Sequence, residues 1–508
     1  MRPDPEPSPA GPSTSLLGEV LLTETVAATA YYAYLPFDVP PGTTRIDLAL
    51  DTKRAAAVGL GLFDGRGTAY QSPGFRGITG RERREVFVAV DGATPGFLPG
   101  PIEPGRWTVM VPVFFAPLPT RVTVRVRFTS GPAGPPLLPG PLPGVVVDAP
   151  GWYRGDLHCH TIHSSDAYAS STAQTPTEWA AVARTLRLDF LAMTDHNTVS
   201  QNWSLGSDAG AGVLLLAGEE MTNYFHGHAT VSGIEPGEWL DFRQSPFGWP
   251  LPTGGRPIQE FLATARGMGA YVAAAHPLLP TMPWQFLADG AFDPAARTDG
   301  FEVWNGPWQV NEEVALRTWD HLLRHGWDIV ANGGSDLHGI VNENGVVAGT
   351  PTTVTYASAL SRGAVIAAIR SGRSYITRTP DGVEVYLTAS GDAGQETFTG
   401  GRIWGAVGDL VPVRVLVRKG AGMRLRLLTE RGEVEAVELE HDDQTVEAPV
   451  PIGAKHGFVR AEVRGQDGRL LPVPQLDMEA FTNPIRLMVG DPPAGTAPEH
   501  APPPPLNG

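Results

Sequence analysis

Cysteine is nearly absent from this chain: among 508 residues only Cys159 carries a thiol. No intrachain disulfide can form, so packing and hydrogen bonds must hold the fold. An excess of positive charge is also missing. Against 54 Asp and Glu stand 38 Lys and Arg, a net charge of −16. Non-specific binding to DNA or RNA needs a basic face, so that class of partner is excluded. A small anionic substrate is not, because bound metal ions set the charge inside a pocket. Long apolar runs are lacking too. No stretch reaches the roughly 18 apolar residues of a membrane span. The first residues show neither the basic start nor the long apolar run of a signal peptide, since the segment from Leu16 to Leu22 is short and contains Glu19. The expectation is a cytoplasmic protein without membrane association.

The length suggests about three domains, and 60 Gly with 49 Pro suit many turns and short strands. Residues 1–15 read as a disordered tail. From 16 to 130, alternation such as Val122, Val124, Val126 and Phe128, with turn signals at Asp64-Gly65 and Asp91-Gly92, predicts a β-sandwich. Residues 131–150 form a Pro/Gly-rich linker. From 151 to 375, apolar runs alternate with helical segments, which predicts a mostly parallel sheet, open or closed into a barrel. Thr175-Pro176-Thr177-Glu178 starts a helix running to about Arg187, Asn311 caps another that ends near Gly326, and Ala364 to Ser371 forms the last. Residues 376–488 return to β alternation as a smaller domain, and 489–508 are a Pro-rich tail.

Ten of the thirteen histidines lie between 151 and 375. Five of them fall, with carboxylates, in clusters that follow apolar runs: Asp156-Leu157-His158-Cys159-His160, Thr194-Asp195-His196, Gly218-Glu219-Glu220, Ala275-His276-Pro277 and Ser335-Asp336-Leu337-His338, with Asp166 and His228 nearby. Imidazole and carboxylate are the ligands of hydrolytic Zn, Mn and Fe sites. His158 and His160, two apart on a strand, face the same way and can reach one ion. Cys159 faces the other side and reads as a small buried filler. Strand ends of an α/β fold converge on one rim, so ligands distant in sequence become neighbours.

This order of motifs resembles the PHP (polymerase and histidinol phosphatase) family of metal-dependent hydrolases over residues 151–375. The flanking β domains and Phe481-Thr482-Asn483-Pro484-Ile485 resemble its carbaryl-hydrolase-like (CehA/McbA) branch. The resemblance implies a distorted seven-stranded β/α barrel and two or three divalent metal ions, Zn, Mn or Fe. By motif, His158, His160, Glu220 and Asp336 would hold one ion, with Glu220, His228 and His276 on a second. Asp166, His196 and His338 would hold a third or support the pair. His228 is preferred to His226 because the strand reading begins at Gly227.

Two close divalent ions supply hydroxide near neutral pH, here held by Glu220, His158, His160 and Asp336. Asp166, Glu220 and Asp336 contribute three negative charges, so two ions leave a local sum of +1 and three leave +3. Such a pocket favours an anionic small molecule, and a phosphoesterase acting on a phosphate ester or nucleotide is the leading expectation. A carbamate, carboxyl-ester or amide hydrolase using the same metals is the alternative, because no basic residue stands out as a phosphate clamp. A non-catalytic binding protein, with an unknown ligand on the N-terminal sandwich, ranks third because all nine ligand positions carry competent residues. Asp156 and Asp195 either orient histidines or make capping and turn hydrogen bonds. His163 and Tyr224 are candidates for leaving-group protonation or substrate contact. Trp304 and Asn305, at another strand end, are candidates for pocket lining.

Overall fold

A computed structural model describes residues 14–27, 30–52, 56–142, 144–167, 170–208, 212–223, 226–245, 256–285, 297–341, 345–391, 394–465, 477–493 and 502. Most of both expected tails, and Tyr224, lie outside the described residues. The chain divides into two compact units. One comprises chiefly Met1–Pro139 with the insert His163–Ala169, and the other holds nearly all the rest.

In the first unit, one sheet orders Ser15–Val26, Thr120–Ser130, Arg45–Thr52 and Glu85–Ala89. A second joins Tyr32–Val39, Gly105–Phe115, Leu60–Phe63 and Phe75–Thr79. All pairings are antiparallel. Ile46, Leu48, Val122, Val124 and Val126 from one sheet and Leu35, Phe37, Val109 and Val111 from the other share one apolar core. This is the period-2 alternation of strands with one buried face.

The second unit is built on one long sheet. Its order is Val330–Gly334, Gly300–Asn305, Tyr271–Ala275, Gly227–Ser232, Leu214–Asn223, Phe190–Met193, Gly151–Cys159, Thr352–Ala357 and Ser374–Thr377. The expected mostly parallel sheet is instead mixed. Gly151–Cys159, Phe190–Met193 and Leu214–Asn223 run parallel, as do Tyr271–Ala275, Gly300–Asn305 and Val330–Gly334. Gly227–Ser232 is antiparallel to both of its neighbours. Only 224–226 separate it from the preceding strand, and a parallel return needs a crossover of about a dozen residues. Among the described residues no strand ladder closes the sheet into a seven-stranded barrel. Residues beyond Val330–Gly334 nevertheless return across the end of Gly151–Cys159. Asp336 N–H donates to His158 O at 2.8 Å, and His160 N–H donates to Leu337 O at 2.9 Å.

The sheet does not stop at residue 375. Ser374–Thr377 pairs with Met478–Thr482, which pairs with Gly457–Arg464. Val354 and Tyr375 share a core with Val385, Val413, Val415 and Val463. Asn483 is fully buried and ties distant strands, since its Oδ1 accepts from Ala331 N at 2.8 Å and its Nδ2 donates to Ser374 Oγ at 3.0 Å. Within the expected linker, Val145–Val147 pairs with Leu360–Ser361.

Four α-helices are described. α1, Pro176–Thr185, starts on the Thr175 cap with Glu178 completing the capping box, and ends before Arg187, whose φ is 57°. α2, Ile258–Gly267, buries Ile258, Phe261, Leu262 and Ala265. α3, Val310–Arg324, begins one residue before Asn311, because Gln309 N donates to the Glu312 carboxylate at 2.7 Å. α4, Arg362–Arg370, is capped by Ser361. No helix among the described residues is long and apolar enough to cross a membrane.

Candidate metal centre

Backbone bonds at neighbouring strand ends bring the histidine and carboxylate clusters together. Thr194 N–H donates to Cys159 O at 2.8 Å, Glu220 N–H to Asp195 O at 3.0 Å and Asn197 N–H to Glu220 O at 2.9 Å. A Cβ at Gly334 would lie 2.4 Å from His158 Cβ, so only glycine lets the Asp336 segment pass this close. Asp336, His276 and Asn197 hold positive φ of 55°, 28° and 53°. Non-glycine residues take this region at a cost and concentrate at functional sites.

Glu220 is the hub. Its oxygens lie 2.6 Å from His196 Nδ1, 3.0 Å from His228 Nδ1, 3.4 Å from His276 Nε2, 3.5 Å from His158 Nε2 and 3.6 Å from His160 Nε2. Asp336 Oδ1 lies 3.0 Å from His160 Nε2 and 3.3 Å from His158 Nε2. The His338 ring stacks on His160 with centroids 4.0 Å apart. Among the described residues three groups hold their potential ligand atoms within 4.8 Å of one another: His158, His160 and Asp336; His196, Glu220 and His228; and His160, His196 and His338. The grouping differs from the one implied by resemblance, because His196 joins Glu220 and His228. His158, His160 and Glu220 are wholly buried, while the Asp336 side chain is 23% exposed, so the cluster opens to solvent on the Asp336 side.

Burial and charge oppose each other here. Burial disfavours the Glu220 carboxylate, yet His196, His158 and His228 hold its pKa well below the usual carboxylate range. Burial, aided by His338 and His196, pushes His160 down to about 3. Burial also lowers His228. For His158 burial works downward, but the carboxylates of Asp336, Glu302 and Glu220 together raise it well above the usual value.

His158 also tests whether a cation fits. Its Nδ1 lies 3.0 Å from Glu302 Oε1. An ionised carboxylate only accepts, so this contact places the ring proton on Nδ1. Among the described residues the buried Nε2 finds no hydrogen-bond partner, although two carboxylate oxygens lie 3.3 and 3.5 Å away. In a neutral ring, a lone pair then faces lone pairs. Either a second proton or a cation must lie between them, and the donor set of imidazoles and carboxylates is one that divalent metals take.

The other expected residues sort as follows. His226 Nδ1 is near Gln285 Oε1, at 3.3 Å, rather than Glu220. Glu219 points away from the histidines: Leu240 N donates to it at 2.9 Å, and burial raises it to about 8. Cys159 is buried and belongs to none of the three groups. Asp166 is exposed and lies within the first unit, as does His163, which burial and Arg83 lower to about 4. Among the described residues, neither belongs to the three groups. Asp156 accepts from the main-chain amides of His158, Ser335 and Gly349 at 2.8–3.1 Å. Asp195 accepts from Thr161 N at 2.7 Å and from its hydroxyl at 3.0 Å. In these contacts both aspartates fasten the chain. Trp304 is core, not pocket lining: it is 1% exposed and stacks on Phe481. Asn305 does face the cluster, donating from Nδ2 to Asp336 Oδ2 at 3.3 Å and Glu302 Oε2 at 3.0 Å. Glu302 was missed by sequence reasoning. A carboxylate inside the apolar run Gly300-Phe-Glu-Val was the available signal.

No family model matches the chain, and no curated protein does. Among solved structures, similarity extends to a two-domain protein from Bacteroides vulgatus ATCC 8482 containing a predicted PHP-like metal-dependent phosphoesterase. It has 17% identity over 70% of this chain and 100% of that one, with a TM-score of 0.36. An inferred metal-dependent phosphoesterase from Bifidobacterium adolescentis ATCC 15703 gives 22% identity over 38% of this chain and 90% of that one, with a TM-score of 0.28. An amidohydrolase from Chromobacterium violaceum with bound sulfate gives 20% over 38% and 89%, with a TM-score of 0.28. At these scores the likeness does not bear on the chemistry, which rests on the geometry above.

Proposed function

We propose that the protein is a metal-dependent hydrolase of the PHP type, in its carbaryl-hydrolase-like branch, acting as a phosphoesterase on a small phosphate ester or nucleotide. The observation that carries the reading is His158: its Nδ1 is committed to Glu302, and its Nε2 points at Asp336 and Glu220. His158, His160 and Asp336 would hold one divalent ion, and Glu220, His196 and His228 a second, with His276 against Glu220. His338, stacked on His160, would complete a third position with His160 and His196. Zn, Mn and Fe all suit this ligand set. Such ions acidify a water and stabilise negative charge on a substrate. The chain's own part is to present neutral imidazoles, which burial secures at His160 and His228, and to leave access beside Asp336.

Glu220 and Asp336 carry two negative charges, so two divalent ions leave a local sum of +2, which attracts an anionic group. A carbamate, ester or amide hydrolase remains the second reading, favoured by one fact: the ligand motifs contain no Lys or Arg to clamp a phosphate. The deciding experiment incubates the full chain, reconstituted with Zn²⁺, Mn²⁺ or Fe²⁺, with p-nitrophenyl phosphate, bis-p-nitrophenyl phosphate and a p-nitrophenyl carbamate. EDTA-sensitive release from a phosphate ester is expected. Release from the carbamate alone would overturn the phosphoesterase reading, and EDTA-insensitive release would overturn the metal reading.

A further inference from the structure

Glu302 belongs to none of the ligand motifs and is 1% exposed. Both of its oxygens are used. Oε1 faces His158 Nδ1 at 3.0 Å, and Oε2 accepts from His276 N–H at 2.7 Å and Asn305 Nδ2 at 3.0 Å. Asn305 in turn reaches Asp336 Oδ2 at 3.3 Å. Two side chains of one strand thus touch the ring of one candidate ligand, the main chain of a second and the carboxylate of a third.

Their spacing should not allow this. Residues three apart on a regular strand point to opposite faces. The register of Gly300–Asn305 against Val330–Gly334 slips here: Glu302 pairs with Asn332, and Trp304 with the next residue, Gly333. Val303 is the extra residue of a bulge, and bulges re-aim side chains beside active sites. With that one residue absorbed, Glu302 and Asn305 share a face, while Trp304 turns to Phe481.

We propose that Glu302 and Asn305 are the positioning pair of the metal centre, delivered by this bulge. Glu302 fixes the His158 tautomer so that Nε2 is the metal-facing atom, and it holds His276 through its amide. Asn305 steers Asp336 Oδ2. The inference rests on the metal reading above. All three groups facing Glu302 act as donors, so a glutamine, which must turn an NH₂ toward one of them, cannot reproduce the arrangement. Loss of a partner that orients a ligand lowers metal affinity about 10–100-fold.

The test uses full-length protein and Co²⁺. Affinity is read by chelator competition, coordination by the Co²⁺ d–d absorption spectrum, and folding by circular dichroism of the metal-free protein. Glu302→Gln is expected to fold, to bind Co²⁺ about 10–100-fold more weakly and to shift the d–d bands. Asn305→Ala should move both readouts the same way by less. A folded Glu302→Gln with wild-type affinity and spectrum overturns the proposal. Should Glu302→Gln fail to fold, Asn305→Ala decides, and an unchanged affinity and spectrum there overturns it. Wild-type protein that binds none of Co²⁺, Zn²⁺ or Mn²⁺ overturns the metal reading itself, a result distinct from variants that bind as wild type does.

Discussion

Glu220→Gln is the sharpest perturbation of this site, because it changes one atom and one charge at the hub of five imidazoles lying 2.6–3.6 Å away. Loss of a group that merely orients a ligand weakens metal binding about 10–100-fold. Loss of a candidate ligand's charge should cost at least the upper end of that range. An ion that binds only the native state stabilises it by RT ln(1 + [L]/Kd), about 2.7 kcal/mol at one hundred times Kd. At the same metal concentration, a variant that binds 100-fold more weakly gains only RT ln 2, about 0.4 kcal/mol. The assay is the metal-induced shift in thermal unfolding, taken for each protein against its own EDTA-treated form. This cancels any change in the metal-free state, where Glu220 otherwise balances buried imidazoles. Wild type should shift by several degrees and Glu220→Gln hardly at all. A variant that keeps the full shift would refute the assignment of Glu220 as a ligand, and with it the two-ion arrangement.

The neighbouring histidines offer a paired control. His228→Ala should lower metal-dependent turnover by about 10-fold or more, whereas His226→Ala, whose ring lies near Gln285, should leave metal content unchanged by elemental analysis. Away from the site, the fully buried Arg460 bonds Asp320 of α3 and Glu462, each at 2.7 Å. Arg460→Met strands Asp320 but leaves Glu462 paired with Arg464 and Arg426, each at 2.9 Å, and should destabilise the second unit by about 3 kcal/mol in urea unfolding; a change below about 1 kcal/mol would contradict this. The same pair sets an acid limit. Burial opposes the Glu462 carboxylate, but Arg460, Arg464 and Arg426 bring it down to about 2 from 4.5. A depressed carboxyl stabilises the fold above its unfolded pKa. About 3 kcal/mol should therefore be present at neutral pH and be lost as pH falls from 4.5 towards 2. That slope should flatten in Arg460→Met.

Much of the fold could be read from local pattern. The apolar runs became strands, and Thr175-Pro176-Thr177-Glu178 opens α1 through the capping box its residue types imply. Ile258, Phe261, Leu262 and Ala265 of α2 follow helical spacing too, but a run this short does not by itself separate helix from strand. The start of α3 was not, because glutamine is an uncommon cap. Strand direction could have been taken from connection length: the 224–226 segment permits only a hairpin before Gly227. The boundary expected at 375 had no such signal. Asn483 bonds Ala331 across 152 positions, and nothing local to either residue announces it.

The same division runs through the site. A candidate ligand must present a particular atom, so its residue type is restricted and its strand-end position repeats; His158, His160, His196, Glu220, His276, Asp336 and His338 carry those marks, and the structure brings their side chains close together. A residue that holds a ligand in place is restricted by geometry instead. Asp156 and Asp195 could have met imidazole rings or main-chain amides, and only atomic positions separate the two. Glu302 is harder still. Its alternation on Gly300–Asn305 gives a face but not the bulge, and without the bulge Asn305 belongs on the opposite side. One inserted residue decides whether the strand contributes a positioning pair or only core, and that insertion is visible solely in its register against Val330–Gly334. The supports of such a cluster are therefore read from sheet register, where its candidate ligands are read from sequence.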